Sequence, residues 1–177
     1  MRKLCLALFI ATIFTILSTS CISENDSHID KTKTPLQNKL MQYDYEIAKE
    51  SNEEIIYIIQ GEDNNLDFKK FTVSKNDELN LTLKENERFI ISLYSNETVK
   101  AEWVLEYNDI YIKVESEELL DNFKKVPVNS TGMSYSRKFF TLTGLNADKT
   151  TLNFKYKSLN SSSDFNPFTF KINIEIK

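Results

Sequence analysis

The chain is 177 residues long, 27% charged and 12% aromatic, with a formal net charge of -4. Charges of both signs are interspersed, so nothing forms a phosphate-binding stripe and nucleic acid is not an expected partner. Gly61, Gly132 and Gly144 are too few and too far apart to build a dinucleotide or P-loop cradle.

The first twenty or so residues read as an address. Arg2 and Lys3 form a charged start, Leu4 to Leu17 is an uncharged apolar run, and Ser18-Thr19-Ser20 supplies small residues before Cys21. This predicts a signal peptide over residues 1–20, too short for a comfortable membrane span. Two cleavage readings stand side by side. Ser20-Cys21 fits lipidation of Cys21, a lipid being an anchor and not a span, whereas Ser18-x-Ser20 suits ordinary signal peptidase. The expected location is the outer face of the cell membrane or envelope as a lipoprotein, and otherwise secreted.

Both cysteines, Cys5 and Cys21, lie in this leader or at its edge, and the sole histidine, His28, reads as a solvated linker residue. The folded part then holds no disulfide, thiolate nucleophile or cysteine metal site. Ser-His or Cys-His catalysis and zinc hydrolysis lose their usual parts. No catalytic residue, metal or cofactor is expected, and the balance moves from enzyme to binding protein.

Residues 21–53 read as a linker with a short helix. Thr34-Pro35 is an N-cap and first helical residue, and Leu36, Leu40, Tyr43 and Ile47 recur at helical spacing to about Lys49. The alternation from Tyr43 to Ile47 fits a strand almost as well. From Glu54 the pattern changes to short strands: Ile55 to Ile59, Phe68 to Val73, Leu79 to Leu83 and Arg88 to Tyr94. Ala101 to Tyr107 and Ile110 to Val114 read as a hairpin about Asn108-Asp109. Phe140-Leu142, Leu152-Phe154-Tyr156 and Phe168 to Ile176 complete the set. Such spacing with almost no helix predicts an all-β domain over residues 54–177, an immunoglobulin-like antiparallel β-sandwich.

Most conspicuous residues have an ordinary reading. Trp103, Phe139, Phe140, Phe154 and Phe170 are expected in the sandwich interior. The acidic run Glu115 to Asp121 lacks calcium-loop spacing and reads as a solvated connection or one helical turn. Sequons begin at Asn25, Asn80, Asn96, Asn129 and Asn160, and matter only where a host glycosylates.

The frame Asn96-x-Thr98-x-x-x-x-Trp103 resembles the Asn-Pro-Thr-Thr-Gly-Tyr-x-Trp loop of the chagasin family of cysteine-protease inhibitors. The likeness runs from about Phe71 to Lys177. It takes in Phe139 to Leu145, like the family's Phe-x-Phe-x-Ala-Leu, and Thr150 to Tyr156, like its threonine-rich strand. The resemblance implies a sandwich whose loops at one end occlude the cleft of a papain-like cysteine protease non-covalently. The central loop corresponds to Asn96, Glu97, Thr98, Val99 and Lys100, with Glu97 in place of proline and Lys100 in place of glycine. The second loop falls around Ser130, Thr131 and Gly132, where one of the family's glycines survives. Ser158, Leu159 and Asn160 stand where the family has Arg-Pro-Trp. With so much of the loops changed, a non-inhibitory binding or structural module of the cell envelope is the alternative reading of the same scaffold.

Overall fold

A computed structural model describes residues 32–50, 52–62, 65–96, 100–121, 136–159 and 167–177. Among them one helix, α1 (Pro35–Gln42), precedes nine strands: β1 (Glu53–Glu62), β2 (Asn65–Ser74), β3 (Glu78–Leu83), β4 (Arg88–Ser95), β5 (Ala101–Glu106), β6 (Ile112–Asp121), β7 (Ser136–Gly144), β8 (Asp148–Ser158) and β9 (Phe168–Ile176). They form a five-stranded sheet ordered β2-β1-β4-β7-β6 and a four-stranded sheet ordered β3-β9-β8-β5. The expected all-β sandwich is what the chain adopts. Its pairs are antiparallel except one, since β3 runs parallel to β9.

The period-two alternation explains the core. Ile56, Ile58, Phe89, Ile91, Phe140 and Leu142 of one sheet face Trp103, Leu152, Phe154, Phe170, Ile172 and Ile174 of the other, all buried. The Phe154 and Phe170 rings stack at 4.9 Å, and Phe140 meets Phe154 edge to face at 5.5 Å. Phe139 is buried as well, but on the opposite face of its sheet. There Leu40 and Tyr45 cover Tyr57, Ile59, Ile90 and Phe139, a second apolar layer outside the sandwich.

That outer layer reconciles the two readings of residues 34–49. Thr34 caps α1 through a capping box with Gln37, and Pro35 opens the helix, as its sequence predicts. The helix stops at Gln42, short of Lys49, because Tyr43 turns extended (φ -72, ψ 140). The extended stretch lets Tyr43 stack on Phe68 at 3.9 Å and Tyr45 meet Tyr57 at 4.9 Å. Continued helix would carry these rings off the sheet.

Two further expectations are corrected. Ala101–Tyr107 and Ile110–Val114 do not form a hairpin: β5 pairs with β8 and β6 with β7, in different sheets. The connection crosses between sheets, tightened by Asn108, whose side chain accepts from Ile110 N–H at 3.0 Å and whose carbonyl accepts from Tyr111 N–H at 3.2 Å. Trp103, Leu105, Ile112 and Val114 all point into one core from opposite sides, which produces the same alternation as a hairpin. The acidic run Glu115 to Asp121 is no solvated connection or helical turn but the second half of β6, after a bulge at Val114–Ser116. An edge strand tolerates charge, and these carboxylates find partners in Arg88 (3.6 Å), Lys138 (2.9 Å) and Gln37 (2.6 Å).

Candidate functional site

Three strand-to-strand connections leave the sandwich at one end. They join β4 to β5, β6 to β7 and β8 to β9. Register fixes this: Ser95 pairs with Ser136 and Ser136 with Asp121 in one sheet, while Ala101 pairs with Ser158 and Phe168 with Tyr156 in the other. Asn96, Lys100, Ser158 and Leu159 therefore stand together. Glu97, Thr98, Val99, Ser130, Thr131, Gly132 and Asn160 lie outside the described residues, as does Cys21.

Side chains tie the two sheets together here. Trp103 Nε1–H donates to the Tyr94 carbonyl at 2.7 Å, so the tryptophan buries its ring and satisfies its one polar atom at once. Its neighbour across the ladder is Tyr156, ring centroids 5.0 Å apart. Tyr156 Oη lies 3.4 Å from both the amide nitrogen and the carbonyl oxygen of Asn96. Burial raises the Tyr156 pKa, opposed by its hydrogen bond with the Asn96 backbone, so the hydroxyl stays protonated. On the far side of the connection, Lys100 C=O accepts from Leu159 N–H at 2.7 Å. Two of the three connections are thus pinned to each other at their roots, by bonds to backbone and not to the variable side chains.

The end of β4 is held from the other side as well. β1 and β4 pair from Gln60↔Phe89 to Tyr57↔Ser92 and then part, although both strands continue. Arg137, 2% exposed, fills the gap. Its Nη2 donates to the carbonyls of Ile55 and Ser92, both at 2.9 Å, and its Nε to Ser92 Oγ at 2.7 Å. Its guanidinium carbon lies 4.8 Å from the centre of the Tyr45 ring and 5.1 Å from that of Tyr57. The half-buried Glu54 accepts from Tyr94 N–H at 3.1 Å. Burial lifts its carboxyl to about 7, against the pull of Arg137 and the Tyr94 N–H.

Beside these roots lies an open groove of about 320 Å³, lined by Ser95, Lys100, Trp103, Leu119, Lys138 and Leu159. Leu159 is 60% and Leu119 46% exposed, so both present apolar surface to solvent here. This surface offers apolar area, two ammonium groups, the Glu102 carboxylate and backbone edges, the materials of non-covalent contact. Among the described residues no group of three or more His, Cys, Asp or Glu is placed to hold a metal ion.

Sequence reasoning missed Glu54, Arg137 and Leu119. Glu54 borders a buried strand as any terminal charge does, and Leu119 sits inside the acidic run. A signal for Arg137 existed: it shares the face of Phe139 on β7, a charge in register with a buried ring.

Among solved structures, the cysteine protease inhibitor EhICP2 from Entamoeba histolytica is 18% identical with a TM-score of 0.45, over 58% of this chain and 88% of that one. Amebosin is 17% identical with a TM-score of 0.34, over 56% of this chain and 98% of its own. The N-terminal domain of PorA is 12% identical with a TM-score of 0.30, over 69% and 97%. No curated protein matches the sequence. The sequence model of the chagasin family peptidase inhibitor I42 matches residues 72–174, from β2 through most of β9 and over more than half of the chain. The chain belongs to the chagasin family of peptidase inhibitors.

Proposed function

We propose that this protein is an exported, lipid-anchored inhibitor that blocks the cleft of papain-like cysteine proteases without covalent chemistry. The contacts come from Asn96 to Lys100, from the connection holding Ser130, Thr131 and Gly132, and from Ser158, Leu159 and Asn160. One observation carries this reading: the three connections leave the sandwich at a single end, and the roots of two are bonded to each other. Roots fixed before docking lose little entropy on docking, so a modest contact area suffices for tight binding. Leu159 supplies apolar contact where the family has Arg-Pro-Trp, and Lys100 brings a charge where it has glycine.

The test is a titration of purified residues 22–177 against several papain-like proteases. The expected result is competitive inhibition with the inhibitor left uncleaved. Absence of inhibition at micromolar protein overturns the reading and leaves a non-inhibitory envelope module on the same scaffold.

The anchor rests on Ser20-Cys21 at the end of a small-residue stretch after an apolar run with a basic start, followed by a polar tether from Ser23 to Lys33. Metabolic labelling with a fatty acid should mark the wild-type protein and not Cys21→Ser, and the variant should leave the membrane fraction. Equal labelling of the two would refute lipidation at Cys21.

A further inference from the structure

The gap between β1 and β4 opens where β4 runs toward Asn96, and two charged side chains close it. Alternation along β1 puts Glu54 on the face of Ile56 and Ile58, which pack in the inter-sheet core. Alternation along β7 puts Arg137 on the face of Phe139, under the outer layer. The pair thus reaches the same gap from opposite faces of one sheet. Arg137 bridges the two strands where they part, donating to the carbonyl of Ile55 on β1 and of Ser92 on β4. Glu54 takes the Tyr94 N–H, whose own carbonyl is held by Trp103 Nε1–H from the second sheet. Tyr94 is two residues from Asn96, so its peptide groups set the point from which the central connection departs.

We propose that Glu54 and Arg137 are positioning residues that fix the end of β4, and with it the root of the connection beginning at Asn96. The assignment rests on that connection being inhibitory, as proposed above, only for its consequence in inhibition. The geometric part stands by itself. Arg137 also accepts a role in joining the outer layer, because its Nη1 donates to the Glu46 carbonyl at 3.4 Å. Both Glu54 and Glu46 precede residue 72, where the family match begins. The root of the central connection is therefore held jointly by residues inside the matched span, Arg137 among them, and by Glu54 ahead of it.

The groups facing Glu54 are Arg137 from β7, the Tyr94 N–H from β4 and Tyr156 from β8. Desolvation outweighs the favourable partners, so the packed arrangement binds the Glu54 proton more tightly than an opened one. The packed root is accordingly favoured as the pH falls through neutrality.

Three variants test this: Glu54→Ala, Glu54→Gln and Arg137→Lys. Glutamine keeps an oxygen for the Tyr94 N–H but cannot titrate, and lysine keeps the charge but not the fork that spans two carbonyls. In wild-type protein the Tyr94 amide proton shift should titrate with a midpoint near pH 7, and in Glu54→Gln it should be flat. Protection of the Asn96 amide against hydrogen exchange should fall about tenfold in Glu54→Ala and in Arg137→Lys. Phe154 and Ile172, in the distant sheet, should keep theirs, and Glu54→Gln should restore Asn96. Inhibition of a papain-like protease should weaken about tenfold in Glu54→Ala and recover in Glu54→Gln. For wild-type relative to Glu54→Gln, it should tighten as pH falls from 8 to 6. Unchanged protection at Asn96, or an equal loss in every strand, overturns the positioning role. If the wild-type protein inhibits no such protease, the proposed function falls while exchange and titration still decide the role of the pair.

Discussion

Arg137 and Glu54 are charges placed where most folds place a backbone ladder, and their costs differ. A guanidinium under two tyrosine rings keeps its charge: burial lowers its pKa, but Glu54 and the tyrosines oppose that fall. A carboxyl in the same setting sits near its crossover, lifted from the ordinary 4.5 to about 7. An acid whose pKa is higher folded than unfolded stabilises the fold fully below its unfolded pKa and loses that contribution as pH rises through the folded one. From pH 5 to pH 8 the wild-type protein should therefore lose stability through Glu54, and Glu54→Gln should lose less. The expected difference in slope corresponds to roughly 1–3 kcal/mol across that range, read from urea denaturation at both pH values. Parallel pH profiles for the two proteins would show that Glu54 carries no net desolvation penalty.

At the scale of elements, the tight turns carry the most exacting local demands. Gly61, one residue before the end of β1, holds φ +101, and a Cβ built there would lie 2.3 Å from the Asn65 carbonyl oxygen. Glycine alone meets both conditions cheaply. Gly61→Ala should lower the urea midpoint by the equivalent of roughly 1–3 kcal/mol with an unchanged slope; a midpoint equal to wild type would mean the hairpin shifts freely. The strands themselves were legible in the sequence because alternation is a local property. Phe168 to Ile176 declares one buried face by alternation, and the continuous run Ile55 to Ile59 declares a strand buried on both faces, without reference to any partner. Which sheet a strand joins is not local. Trp103 and Ile112 face the same core whether β5 and β6 pair or cross, so alternation alone could not separate a hairpin from an arch. The acidic half of β6 was obscured for a related reason: its carboxylates are answered by Arg88, Lys138 and Gln37, which lie far away in sequence.

For the whole molecule, the family frame accounts for the sandwich and the order of its connections, and the sequence displayed both through Trp103, Phe139 to Leu145 and Thr150 to Tyr156. It also placed Asn96, Lys100, Ser158 and Leu159 in two separate connections, whose roots the structure brings within hydrogen-bond reach. What holds those roots was not visible from motifs, because it depends on two strands parting and on an outer layer that begins before the family match. The parallel pairing of β3 with β9 bears on how such a molecule comes into being. Glu78 and Lys171, which face each other in that pair, are 93 residues apart, and β9 alone joins β3 to the rest of its sheet. On a ribosome, β3 has no neighbour until β9 has emerged, long after β1, β2 and β4 could have met. The placing of β3 must therefore wait for nearly the whole described chain, with its apolar side chains open to chaperones in the interval.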